Sequence, residues 1–71
     1  MKEFLERIAE VLEVPSIAPE DNFRGVPMWG SLVGFAVAVM CEQRYGRRLT
    51  PDDFAACRTV ADLARAAGVA T

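Results

Sequence analysis

Ser31 is a hydroxyl in a distinctive setting with nothing beside it to activate it. It stands in Met28-Trp29-Gly30-Ser31-Leu32, directly ahead of ten residues, Leu32 to Cys41, that carry no polar side chain. A serine nucleophile needs a base within hydrogen-bond reach, and the 71-residue chain contains no histidine. A serine set at a helix start without a base reads as a substrate for another enzyme. On local sequence alone it also reads as a plain helix N-cap, its oxygen accepting a backbone N–H.

The other polar clusters point to structure. Asp52 and Asp53 follow Thr50-Pro51, where acids favour a helix N-terminus, and Glu20-Asp21 reads as turn chemistry with no fixed partner. Neither pair is expected to hold a metal or to act as paired catalytic carboxylates. Cys41 and Cys57 are too few for a disulfide framework and lack metal spacing. Their apolar or helical surroundings predict free, buried thiols. Arg44, Arg47 and Arg48 gather near a helix C-terminus and complement its dipole. With no convergent acid–base set, the chain is not expected to be an enzyme.

The elements that must position Ser31 are legible from periodicity. From Lys2 to Val14, Phe4, Leu5, Ile8, Val11 and Leu12 recur at helical spacing while Glu3, Glu6, Arg7, Glu10 and Glu13 fill the other face. Pro15 is expected to stop this helix. Pro15 to Gly30 then forms a sixteen-residue connection with three prolines and two glycines, long for so small a domain. Ile17, Phe23, Val26 and Trp29 are its expected pins against the core. A second helix is predicted over Ser31–Tyr45, with Ser31 as N-cap or first residue and Gly46 as the stop. Thr50-Pro51-Asp52-Asp53 opens a short third helix. Thr59-Val60-Ala61-Asp62 opens a last one that ends near Gly68, with Val60, Leu63, Ala64 and Ala67 on its apolar face. No alternating strand pattern is present. The expected fold class is all-α, a small four-helix bundle of three longer helices and one short one.

Size and charge narrow the function classes. Residues 1–71 fit one small domain, which buries only about 60% of the surface its unfolded chain exposes. The apolar fraction of 52% suffices for one core. A net charge of −2 argues against a nucleic-acid partner, which calls for a basic stripe. No secretion signal is visible, and the apolar run at Leu32–Cys41 is about half the length needed to span a bilayer. A cytoplasmic protein is the expectation.

The ordered set of motifs resembles an acyl carrier protein. It comprises Ile17-Ala18-Pro19-Glu20-Asp21-Asn22-Phe23, then Trp29-Gly30-Ser31-Leu32, then Glu42-Gln43-Arg44-Tyr45-Gly46, then Thr59-Val60-Ala61-Asp62-Leu63. The resemblance runs from about Phe4 to Ala67 and is closest to discrete carriers with Pro-x-Trp-Asp-Ser-Leu, here Pro27-Met28-Trp29-Gly30-Ser31-Leu32. It implies that Ser31 carries 4′-phosphopantetheine, transferred from coenzyme A by a phosphopantetheinyl transferase. The thiol of that arm would hold acyl or aminoacyl groups as thioesters for loading and processing enzymes of a fatty-acid, polyketide or related pathway.

Two departures from the family pattern open alternatives. Gly30 stands where carriers usually have the aspartate implicated in transferase recognition, and a glycine there could serve a positive φ at the loop-to-helix junction. The second helix lacks the usual scattered acids: Val33 to Val39 is wholly apolar, and Glu42 is its only acid. Such a helix must cover more than one face. Leu32, Phe35 and Val39 are the candidate partner contacts, with self-association also in view, unless a better-covered core accounts for them. Trp29 reads as an anchor for the loop or as a contact to the transferase. The competing function is a degenerate, unmodified carrier fold acting as a protein–protein interaction module.

Overall fold

The computed structural model describes residues 1–69 and is helical throughout its regular parts. The elements run α1 (Lys2–Leu12), a 3₁₀ turn (Phe23–Gly25), α2 (Ser31–Tyr45), α3 (Pro51–Ala56) and α4 (Val60–Ala66). An all-α bundle of acyl-carrier type is therefore observed, with no strand among the described residues and only an isolated bridge between Asn22 and Thr59. No helix among these residues is long and apolar enough to cross a membrane.

Helix α1 turns its apolar stripe inward. Phe4, Ile8 and Leu12 are fully buried, Leu5 and Val11 are half-buried, and Ala9 joins the buried set. The helix ends earlier than expected, at Leu12 rather than Val14. Glu13 adopts the left-handed conformation at φ 59°, and the Val14 N–H reaches back to the Ala9 carbonyl at 3.0 Å. A residue that precedes proline resists the helical region, so Val14 leaves the helix and Glu13 takes the turn.

The long connection contains more order than its composition suggests. Asn22 caps the 3₁₀ turn through the Arg24 N–H at 2.9 Å, and Phe23 is driven completely into the core. Asp21, expected to lack a partner, accepts the Ala18 N–H at 2.9 Å and closes a turn. The carbonyls of Asp21 and Pro19 accept the N–H groups of Val60 and Ala61 at 3.0 and 2.8 Å, which docks the loop on the start of α4. Of the expected pins, Phe23 is buried and Ile17, Val26 and Trp29 are half-buried against the core.

Helices α3 and α4 begin as their sequences prescribe. The Thr50 hydroxyl accepts the Asp53 N–H while the Asp53 carboxylate accepts the Thr50 N–H, and Thr59 with Asp62 repeats the arrangement. Val60, Leu63, Ala64 and Ala67 are buried, as the periodicity requires. Cys41 and Cys57 are free, buried thiols. Burial pushes the Cys41 thiol up to about 11, and burial followed by nearby Asp62 and Asp53 raises Cys57 as well. Neither is a poised nucleophile.

Candidate functional site

Helix α2 buries one narrow side, half-buries Val33, Ala38, Val39 and Met40, and exposes Leu32 and Phe35. Gly34, Val37 and Cys41 face the core, and α2 packs against α1 there. Phe35 is 70% exposed and Leu32 is 86% exposed, both far beyond what an apolar side chain needs. Val39 is half-buried beside them, and Met28 on the preceding loop is 47% exposed. A better-covered core accounts for Val33, Ala38 and Met40, which pack against the buried cluster, but not for Leu32 and Phe35. Exposed apolar side chains at helical spacing are a feature that often marks an interaction site.

Trp29 sets where this helix starts. Its ring lies edge-on to Phe23 at 5.0 Å between centroids and tilted to Phe54 at 5.8 Å, and it covers Gly34. These aromatic contacts fix the loop end against both α2 and α3. Its backbone N–H is held by the Val26 carbonyl at 3.1 Å, so the turn leading into α2 is closed on its inner side.

Gly30 is the N-cap of α2 and Ser31 its first residue. The expectation that Gly30 supplies a positive φ is overturned: it is fully extended, with φ 178° and ψ −177°. A Cβ added at Gly30 would stand in open space, so its lack of a side chain serves no steric need. Ser31 is not the N-cap, and its exposed hydroxyl has no hydrogen-bond partner among the described residues. The first helical bond runs from the Gly34 N–H to the Gly30 carbonyl at 2.8 Å. That leaves the N–H groups of Ser31, Leu32 and Val33 without acceptors among the described residues.

From Ser31 an open groove of about 560 Å³ runs between α2 and α3. Gly34, Phe35 and Ala38 line it on α2, and Leu49, Pro51 and Phe54 line the opposite side. A neighbouring hollow shares Phe35, Ala38, Leu49 and Pro51 and continues the groove to the Glu42–Arg48 ion pair, 3.1 Å between charged atoms. Among the described residues, Arg24 is the one charged residue on the wall of the first groove.

This arrangement fits a covalently held, phosphate-linked group. The hydroxyl is accessible, and open N–H groups at the positive end of a fifteen-residue helix favour an anion beside it. The apolar groove can shelter a chain leading away from it. No cluster that could hold a metal ion occurs among the described residues. Sequence reading placed the start of α2 at Ser31 and its stop at Gly46 through cap signals, and Leu32, Phe35 and Val39 lie on that helix. It missed Arg24, whose position depends on a 3₁₀ turn that the loop composition does not announce.

A family model described as phosphopantetheine attachment site matches residues 2–67, nearly the whole chain. Searches of the curated proteins and of the solved structures returned no significant match. The family is defined by covalently attached 4′-phosphopantetheine, and its carrier domains are in general non-catalytic. By fold, by the open start of α2 and by this match, the chain belongs to the phosphopantetheine attachment site family, as a carrier domain of acyl-carrier type.

Proposed function

We propose that Ser31 is the attachment residue and that the protein carries acyl or aminoacyl intermediates as thioesters on its phosphopantetheine arm. It then catalyses nothing itself. It receives the arm from a phosphopantetheinyl transferase and presents its cargo to separate enzymes of a fatty-acid, polyketide or related pathway in the cytoplasm. The observation that carries this reading is the unbonded, exposed Ser31 hydroxyl at the open end of α2, within a chain of this family. Residues 1–71 act as one carrier domain.

The surroundings of Ser31 divide the work. Trp29 orients the loop so that the hydroxyl faces outward, and the helix N-terminus stabilises the phosphodiester charge. The groove shelters the arm or its cargo between deliveries. Along α2, the rise from Ser31 to Glu42 is about 16 Å at 1.5 Å per residue, which gives an extended arm room to lie down. A tethered arm also raises the concentration of the thioester at each partner's active site. Leu32, Phe35 and Val39 form the docking face. With Glu42 the only acid on α2 and already paired with Arg48, that face engages partners through apolar contact more than through charge steering.

Intact mass before and after incubation with coenzyme A, magnesium and a broad-specificity transferase tests the assignment, alongside Ser31→Ala. One phosphopantetheine added to the wild type and none to the variant is the expected result. No addition to either favours the second reading, an unmodified interaction module, which the exposed Leu32 and Phe35 and the absence of an acid at Gly30 support.

A further inference from the structure

Arg24 has no role in the core and none in an ion pair among the described residues, yet it is held in place from two sides. Its guanidinium lies over the Phe23 ring at 4.9 Å from the centroid, and one of its N–H groups donates to the Phe54 carbonyl. Phe23 is fully buried and Phe54 packs against both Phe23 and Trp29, so both holds are anchored on the aromatic cluster that positions the start of α2. A long, flexible side chain normally loses conformational entropy when it is fixed at a surface. Here that entropy is already spent without an opposite charge to show for it.

The location of this fixed charge is informative. Arg24 and Ser31 both line the groove between α2 and α3, and among the described residues no acidic side chain lies on that wall. Gly30 contributes no side chain to it. A guanidinium offers five N–H donors, of which one is used at Phe54, so the remaining face is free to bond an anion. Its planar fork suits the paired oxygens of a phosphate group. The open N–H groups of α2 belong to Ser31 itself and to the two residues that follow it.

We infer that Arg24 is a positioning residue for the arm: its guanidinium pairs with the phosphodiester on Ser31 and holds the arm toward the groove. The inference rests on the attachment reading for Ser31 and extends it to the neighbouring loop. Without this contact the phosphodiester has only the helix end to hold it, and the arm spends more of its time away from the protein surface. A latch between the 3₁₀ turn and α3 would be the whole role of Arg24 if this pairing did not form.

The test uses the full chain, loaded with phosphopantetheine and checked by intact mass. The Arg24 side-chain Nε–Hε resonance is compared between unloaded and loaded protein, and the ³¹P resonance is compared among wild type, Arg24→Lys and Arg24→Gln. Pairing predicts a clear shift of the Arg24 resonance on loading. It also predicts a ³¹P position that moves in Arg24→Gln, moves less in Arg24→Lys, and in the wild type approaches the Arg24→Gln value in high salt. An Arg24 resonance unmoved by loading overturns the inference, and so does a ³¹P position shared by wild type and Arg24→Gln. The first comparison needs no variant, so it stands even where Arg24→Gln fails to fold. A chain that takes up no phosphopantetheine overturns the Ser31 assignment and this one with it, whereas a loaded chain with an indifferent Arg24 removes only the Arg24 contact.

Discussion

The starts of α2 and α4 are built from the same chemistry and finished in opposite ways. At α4 the Thr59 hydroxyl accepts the Asp62 N–H, the Asp62 carboxylate accepts the N–H groups of Arg58 and Thr59, and loop carbonyls accept those of Val60 and Ala61. Every early N–H there has a partner. At α2 the cap is a glycine, the next residue is an unbonded serine, and the first N–H groups are left open. Closing a start removes unpaired donors that cost stability. On the attachment reading proposed for Ser31, the phosphate would supply the acceptors that the start of α2 lacks.

Substitutions can break this contrast, and the largest effect is all-or-none. Ser31→Ala should abolish loading as read by intact mass, while its thermal stability stays within about 0.5 kcal/mol of wild type, since the hydroxyl bonds nothing in the fold. Thr59→Ala should do the reverse: loading persists, and denaturant unfolding shows a loss of about 1 kcal/mol from the removed cap. Equal stability losses at the two positions would erase the distinction between an open and a closed start.

Acid should find the closed starts and spare the open one. Backbone bonds from Thr50 hold Asp53 below the ordinary carboxylate range, and bonds from Arg58 and Thr59 do the same for Asp62. A carboxylate with a depressed folded-state pKa stabilises above its unfolded value and loses that contribution as pH falls through the folded one. Melting temperatures of wild type and Asp53→Asn/Asp62→Asn should therefore differ at neutral pH and converge as pH drops below the unfolded value of 3.8. A gap that persists in acid would mean that the carboxylate charge is not what the caps use.

The smallest change in stability should come from Gly30→Asp. Its backbone is extended and its Cβ position is empty, so aspartate fits without strain and adds an N-cap worth a few tenths of a kcal/mol over glycine. The same variant restores the acid found in most carriers ahead of the serine, and transferase turnover should rise. An unchanged rate would show that the transferase reads other residues of this chain, with Trp29 and Leu32 the next to vary.

Much of this molecule is written in local sequence. Thr50-Pro51-Asp52-Asp53 and Thr59-Val60-Ala61-Asp62 dictate their helix starts because a cap and its reciprocal acid lie within one turn. Phe4, Ile8 and Leu12 dictate the buried side of α1 because a 3.6-residue period leaves one apolar stripe. Ser31 and its place at the head of α2 were legible from the uninterrupted apolar run that follows it and from the stop at Gly46. The end of α1 was not, since the left-handed turn at Glu13 competes with a further turn of helix at nearly equal local cost.

Tertiary packing decided the rest. A helix apolar on all sides carries no periodic signal for its inner face. Only the approach of α1 and the aromatic cluster selects Gly34, Val37 and Cys41 for burial and leaves Leu32 and Phe35 in solvent. The placement of Arg24 on the groove that Ser31 also lines is likewise invisible in sequence, because Arg24 and its Phe54 partner are thirty residues apart. Sequence determined which residues could bear a phosphopantetheine arm and where the helices begin. The fold determined that the serine is left unbonded, that an apolar groove leads away from it, and that Arg24 shares the wall of that groove, because each of these depends on segments brought together only by the burial of a shared core.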